Sequence, residues 1–77
     1  MSKLKLINAK TMEKLLMGLG FEKIRQKGSH AFYRRADGRT TTIPHHKTRM
    51  LARPLIREIL REIEISILDY TRYLNEL

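Results

Sequence analysis

Phe21-Glu22-Lys23-Ile24-Arg25-Gln26-Lys27-Gly28-Ser29-His30-Ala31-Phe32-Tyr33-Arg34-Arg35-Ala36-Asp37-Gly38-Arg39-Thr40-Thr41-Thr42-Ile43-Pro44 is the stretch on which the fold turns. Its first run, Phe21 to Gln26, is strand-like and reaches a turn at Lys27-Gly28. A second run, Ser29 to Arg35, ends at Ala36-Asp37-Gly38, where Asp-Gly readily supplies the positive φ angles of a turn. The third, Arg39 to Ile43, is rich in β-branched residues and is stopped by Pro44. Three short strands in succession predict an antiparallel meander.

Helical patterns flank the meander on both sides. Asn8 is suited to cap a first helix, with Ile7 and Met12 at the spacing of a hydrophobic staple. Met12, Leu15, Leu16 and Leu19 recur at helical spacing, and Gly20 can end the helix in a left-handed conformation, predicting a helix over Ala9 to Leu19. Beyond a loop from Pro44 to Arg53, Pro54 fits the first turn of a second helix striped by Leu55, Ile56, Ile59, Leu60 and Ile63. Ser66 with Asp69 resembles a capping box opening a third helix, lined by Ile67, Leu68, Thr71, Leu74 and Leu77. The expected class is α+β, in the order helix, three strands, helix, helix. Each short helix has an apolar face wide enough to cover one side of such a sheet, which leaves the other side open.

Seventy-seven residues predict one small domain over 1–77 with a thin core. Hydrophobic residues at 42% and charged residues at 31% are a globular composition. The absence of cysteine excludes disulfides and thiolate metal sites. No run approaches the roughly 20 apolar residues of a membrane helix. The N-terminus lacks the apolar segment of a signal peptide, so a cytoplasmic, membrane-free protein is expected.

The net charge of +8 is not spread evenly. Residues 1–50 carry twelve Lys and Arg against three acids, whereas residues 51–77 carry four against five. A one-sided excess concentrates polyanions, and phosphate backbones are the commonest such partner. A domain that is merely basic, or one built to meet an acidic protein, would carry the same excess.

Three histidines, His30, His45 and His46, are the candidates for chemistry. Metal binding by His45-His46 is disfavoured, because adjacent residues on an extended chain point apart and no carboxylate lies close in sequence. Ser29-His30 fails as a nucleophile pair for the same reason. His30 reads either as an acid/base group near a phosphodiester or as a solvated strand-end histidine. Strand parity leaves two registers. With Phe32 in the core, His30 sits over the helices unless a bulge near Gly28 rotates it outward. With Tyr33 in the core, His30 and Phe32 face solvent, and Phe32 could stack an RNA base.

Taken in order, Leu19-Gly20-Phe21, Arg25-Gln26-Lys27-Gly28-Ser29-His30, Tyr33-Arg34, Asp37-Gly38-Arg39 and Ile43-Pro44-His45-His46-Lys47 resemble the HicA, or YcfA-like, toxin family. With Leu55-Ile56-Arg57-Glu58-Ile59-Leu60 the resemblance spans about residues 7 to 63. It implies a fold like a double-stranded-RNA-binding domain and an mRNA interferase held inactive by a HicB-type antitoxin. It also puts the family's catalytic histidine on His30, with Gly28 and Ser29 as its lead-in. From position and charge, Arg25, Lys27, Arg34, Arg39 and Lys47 are expected to meet RNA beside Gly28 and Ser29. His45 or His46 is a possible second acid/base group. Two departures from the family pattern are Arg53-Pro54 at the start of helix two and the acidic helix over residues 66–77. No cofactor or metal is expected. The competing reading is a non-catalytic RNA-binding module of the same fold.

Overall fold

The computed structural model describes residues 4–77; Lys3, counted in the basic half, lies outside them. Its elements are α1 (Ala9–Gly18), β1 (Glu22–Lys27), β2 (His30–Arg34), β3 (Thr40–Pro44), α2 (Arg53–Glu62) and α3 (Ile67–Asn75). The sheet is an antiparallel meander of order β1-β2-β3. The class is therefore α+β, and the order of elements agrees with the description as double-stranded-RNA-binding-domain-like.

Local chemistry sets the boundaries. The Asn8 side chain accepts from the Thr11 amide at 2.8 Å and caps α1. At its other end Gly20 takes φ +93°, so that the Phe21 amide returns to the Leu16 carbonyl at 2.9 Å. This is a Schellman closure, and Phe21 and Leu16 are both buried beside it. Helix α2 closes in the same way, with the Ile65 amide on the Leu60 carbonyl, but the left-handed residue there is Glu64. In α3 the Ser66 hydroxyl accepts from the Asp69 amide at 3.0 Å. The Asp69 carboxylate pairs with Arg72 instead of completing a capping box.

Ala31, Tyr33 and Ile43 are fully buried and Thr41 nearly so, which places this parity of the sheet against the helices. Of the two registers open in the sequence, the Tyr33-in arrangement is the one adopted. Both α1 and α2 pack on β3. Met12, Leu15 and Leu16 from α1 meet Ile56, Ile59 and Ile63 from the α2 side in one continuous core. The expected stripe of α3 is corrected in part, since only Ile67 and Leu74 of it pack against the core. Leu68 and Leu77 are 71% and 58% exposed, and the residue that enters the core is Tyr70, whose hydroxyl donates to the Lys5 carbonyl at 2.6 Å. Arg53 reaches the same N-terminal segment, donating to the Leu4 carbonyl at 2.8 Å. With Leu51 N–H on the Ile7 carbonyl, these bonds strap residues 4–8 across α2, α3 and the loop before them.

Candidate functional site

The site is built by parity. Once Ala31 and Tyr33 face the helices, His30, Phe32 and Arg34 must face away from them, and all three are exposed or half-buried. The register sets Lys27 beside His30 and Arg25 beside Phe32 on one flank, and Pro44, Thr42 and Thr40 on the other. Glu22, opposite Arg34, is the acid of this face. The open face of the sheet is thus a basic surface crossed by one aromatic ring. The Arg25 guanidinium lies 4.8 Å from the centroid of that ring, Phe32.

Gly28 and Ser29 form the two-residue connection between Lys27 and His30, with Gly28 at φ +59°. A glycine of positive φ at the first of two turn positions suits the right-handed twist of a hairpin. The turn is braced on both sides. The Gln26 side-chain amide donates to the Gly28 carbonyl at 3.1 Å, and the His45 amide donates to the Ser29 carbonyl at 2.6 Å. His30 therefore starts β2 from a held position and presents its ring to solvent on the basic face.

His45 lies across the sheet from His30. Its backbone continues β3 one step past Pro44, the partner of His30, so its side chain turns to the helix side. There its Nε2 lies 2.9 Å from the Tyr33 hydroxyl, which itself hydrogen-bonds the Glu13 carboxylate. The single phenolic proton is given to Glu13, so Nε2 of His45 is the donor in the second bond. Lys23 joins them, its Nζ 3.0 Å from Glu13. The Tyr33 bond, with Lys23 and His45 adding, holds the Glu13 carboxyl below the usual carboxylate range against the opposing effect of partial burial. Burial, then the Glu13 bond, pushes the Tyr33 hydroxyl well above its usual range.

A cleft of about 560 Å³ opens beside this network, lined by Lys10, His46 and Lys47 among others. His46 and Lys47 thus belong to the cleft with His45, not to the surface around His30. Arg39 is drawn elsewhere again. It pairs with Asp37 at 2.7 Å and donates to the Ile63 carbonyl at 2.6 Å, tying the second hairpin to the end of α2. Of the residues singled out in the sequence, the structure brings together Arg25, Lys27, Gly28, Ser29, His30 and Arg34. Among the described residues no three His, Asp or Glu side chains group so as to hold a metal ion, and no helix is long and apolar enough to cross a membrane.

The Glu13–Tyr33–His45 network was missed in the sequence because its members are 20 and 12 residues apart. One signal was available. Glu13 lies four residues after Ala9 and three before Leu16, both buried, so it is a charge on the margin of an apolar stripe.

Residues 9–65, which are 57 of the 77, match the family described as the HicA toxin of bacterial toxin-antitoxin. A comparison with curated proteins found no match. The matched span begins with the first residue of α1, ends two residues beyond the C-cap of α2, and contains every residue of the open basic face. The chain belongs to the HicA toxin family, and as the toxin of a toxin–antitoxin pair it has an antitoxin for a partner.

Proposed function

We propose that the chain is an mRNA interferase, an endoribonuclease that cleaves single-stranded RNA in the cytoplasm and is neutralised by a HicB-type antitoxin. The observation that carries this reading is His30, a solvent-facing imidazole fixed by a braced turn, with Lys27 opposite it and Arg25 and Arg34 further along the same face. RNA brings its own nucleophile in the 2′-hydroxyl. His30 takes the 2′ proton as the O2′–P bond forms, while the neighbouring cations stabilise the charge developing on the phosphoryl oxygens. The P–O5′ bond then breaks, leaving a 2′,3′-cyclic phosphate and a 5′-hydroxyl. One histidine fills one proton-transfer role per step. Tyr33 is committed to Glu13, and His45 to Tyr33 on the other face, which leaves Lys27 or water at the open surface to protonate the leaving oxygen.

The test is end-labelled RNA incubated with wild-type and His30→Ala protein in the presence of EDTA. Cleavage to cyclic-phosphate ends by the wild type alone is expected. Equal cleavage by both proteins removes His30 from the chemistry. Salt-sensitive binding with no cleavage by the wild type leaves a non-catalytic RNA-binding module.

A further inference from the structure

We propose that Phe32, with the Arg25 guanidinium laid over it, is a platform on which one unpaired base of the RNA stacks, next to the phosphate addressed by His30. The inference rests on the reading of the open face as an RNA site, and it adds what that reading lacks, a device that selects unpaired bases. The other aromatic side chains of the described residues are engaged in or against the core: Phe21, Tyr33 and Tyr70 are buried, and Tyr73 packs on its edge. Phe32 alone is turned to the open face, where its burial contributes little to the core. Its neighbours there are Arg25 at 4.8 Å, His30 and Arg34 two residues away on either side, and Thr42 across the pair. Successive residues on one face of a strand stand about 6.6–6.8 Å apart, so the ring and the imidazole are spaced to meet a base and an adjoining phosphate together. Aromatic rings and arginine planes both accept a nucleobase face, and Thr42 and Thr40 offer hydroxyls to its edge. A base inside a duplex has both faces covered by its neighbours and cannot use this platform. The selection is therefore for single strands.

The experiment uses the full chain carrying His30→Ala, so that substrate survives, and a single-stranded RNA with one 2-aminopurine. Binding is followed by quenching of that base at fixed salt. Loss of one base stack is worth roughly 1–3 kcal/mol, about a 5- to 150-fold weaker Kd. Adding Phe32→Leu is expected to weaken binding by about 10-fold or more and abolish the quenching, while Phe32→Trp retains both. Arg25→Lys keeps the charge but loses the plane, and gives an intermediate loss. Thermal melting of each variant verifies folding. A folded Phe32→Leu variant that binds and quenches like its parent overturns the platform and leaves the face to a protein partner; wild-type cleavage then stands unaffected. Quenching that depends on Phe32, alongside a wild type that cleaves nothing, supports the platform and removes the nuclease. If the parent protein binds no single-stranded RNA, both readings fall.

Discussion

Tyr33 is the residue on which the two sides of the sheet are decided. Its ring completes the core, and its hydroxyl holds Glu13 and His45 together on the helix side. Removing that hydroxyl with Tyr33→Phe keeps the packing but leaves Glu13 without its strongest partner. We expect a loss of about 1.5–3 kcal/mol, the usual worth of a hydrogen bond to a charged group, read by urea unfolding. His30→Ala, on the exposed face, is expected to leave stability within about 0.5 kcal/mol of wild type. At this scale the sequence was half legible. The Gly28-Ser29-His30 motif marked the right strand end, but parity alone could not say which of Phe32 and Tyr33 is buried. What decides it is the set of long-range partners of Tyr33, Glu13 and His45, which no local pattern contains. Arg39 shows the same limit: its charge suggested RNA, whereas Asp37 and the end of α2 hold its guanidinium.

The elements were more legible than the residues, because caps and turns are local. Asn8, Gly20, Gly28, Gly38, Pro54 and Ser66 each mark a boundary close to where the structure has one. Two elements departed from their patterns. Strand β1 carries a bulge between Lys23 and Arg25, so that Lys23, rather than Ile24, lies opposite Tyr33 and reaches Glu13. An alternating pattern cannot announce an extra residue. In α3 the long arm of Tyr70 enters the core, while of the expected stripe Ile67 and Leu74 pack on its edge and Leu68 and Leu77 are exposed. The closure of α2 yields a prediction of its own. Glu64 occupies a left-handed position at φ +59°, where glycine carries no steric penalty. Glu64→Gly is expected to stabilise the chain by about 1 kcal/mol, a rise in Tm of about 4–8 °C by calorimetry.

For the whole molecule, the separation of a basic open face from a packed one gives predictions in salt and pH. The proposed contacts from Arg25, Lys27 and Arg34 to single-stranded RNA would give a slope of log K against log salt of about −2, and Arg34→Gln is expected to lessen it by about 0.7. Glu13 has a folded pKa depressed below its usual 4.5. Its contribution is fully present above that pH and is lost as pH falls through the depressed value. Tyr70, pushed up to about 12 by burial, contributes fully below pH 10, its usual value, and loses that contribution as pH rises toward 12. Melting temperature followed by circular dichroism should thus fall at both ends of the range; Glu13→Gln should lessen the fall at the acid end and, because Glu13 also raises the Tyr33 hydroxyl, alter the alkaline end as well.

The strap over residues 4–8 bears on the order in which a ribosome makes this toxin. The Lys5 carbonyl is synthesised 65 residues ahead of its partner Tyr70. At about 5–20 residues per second that is an interval of roughly 3–13 s. The strands from Glu22 to Pro44 and then α2 are made within it, while the N-terminal segment has neither Tyr70 nor, at first, Arg53 to hold it. The Tyr70 clasp on residues 4–8 is therefore among the last long-range contacts of the fold to become available, and it closes only once α3 has been made.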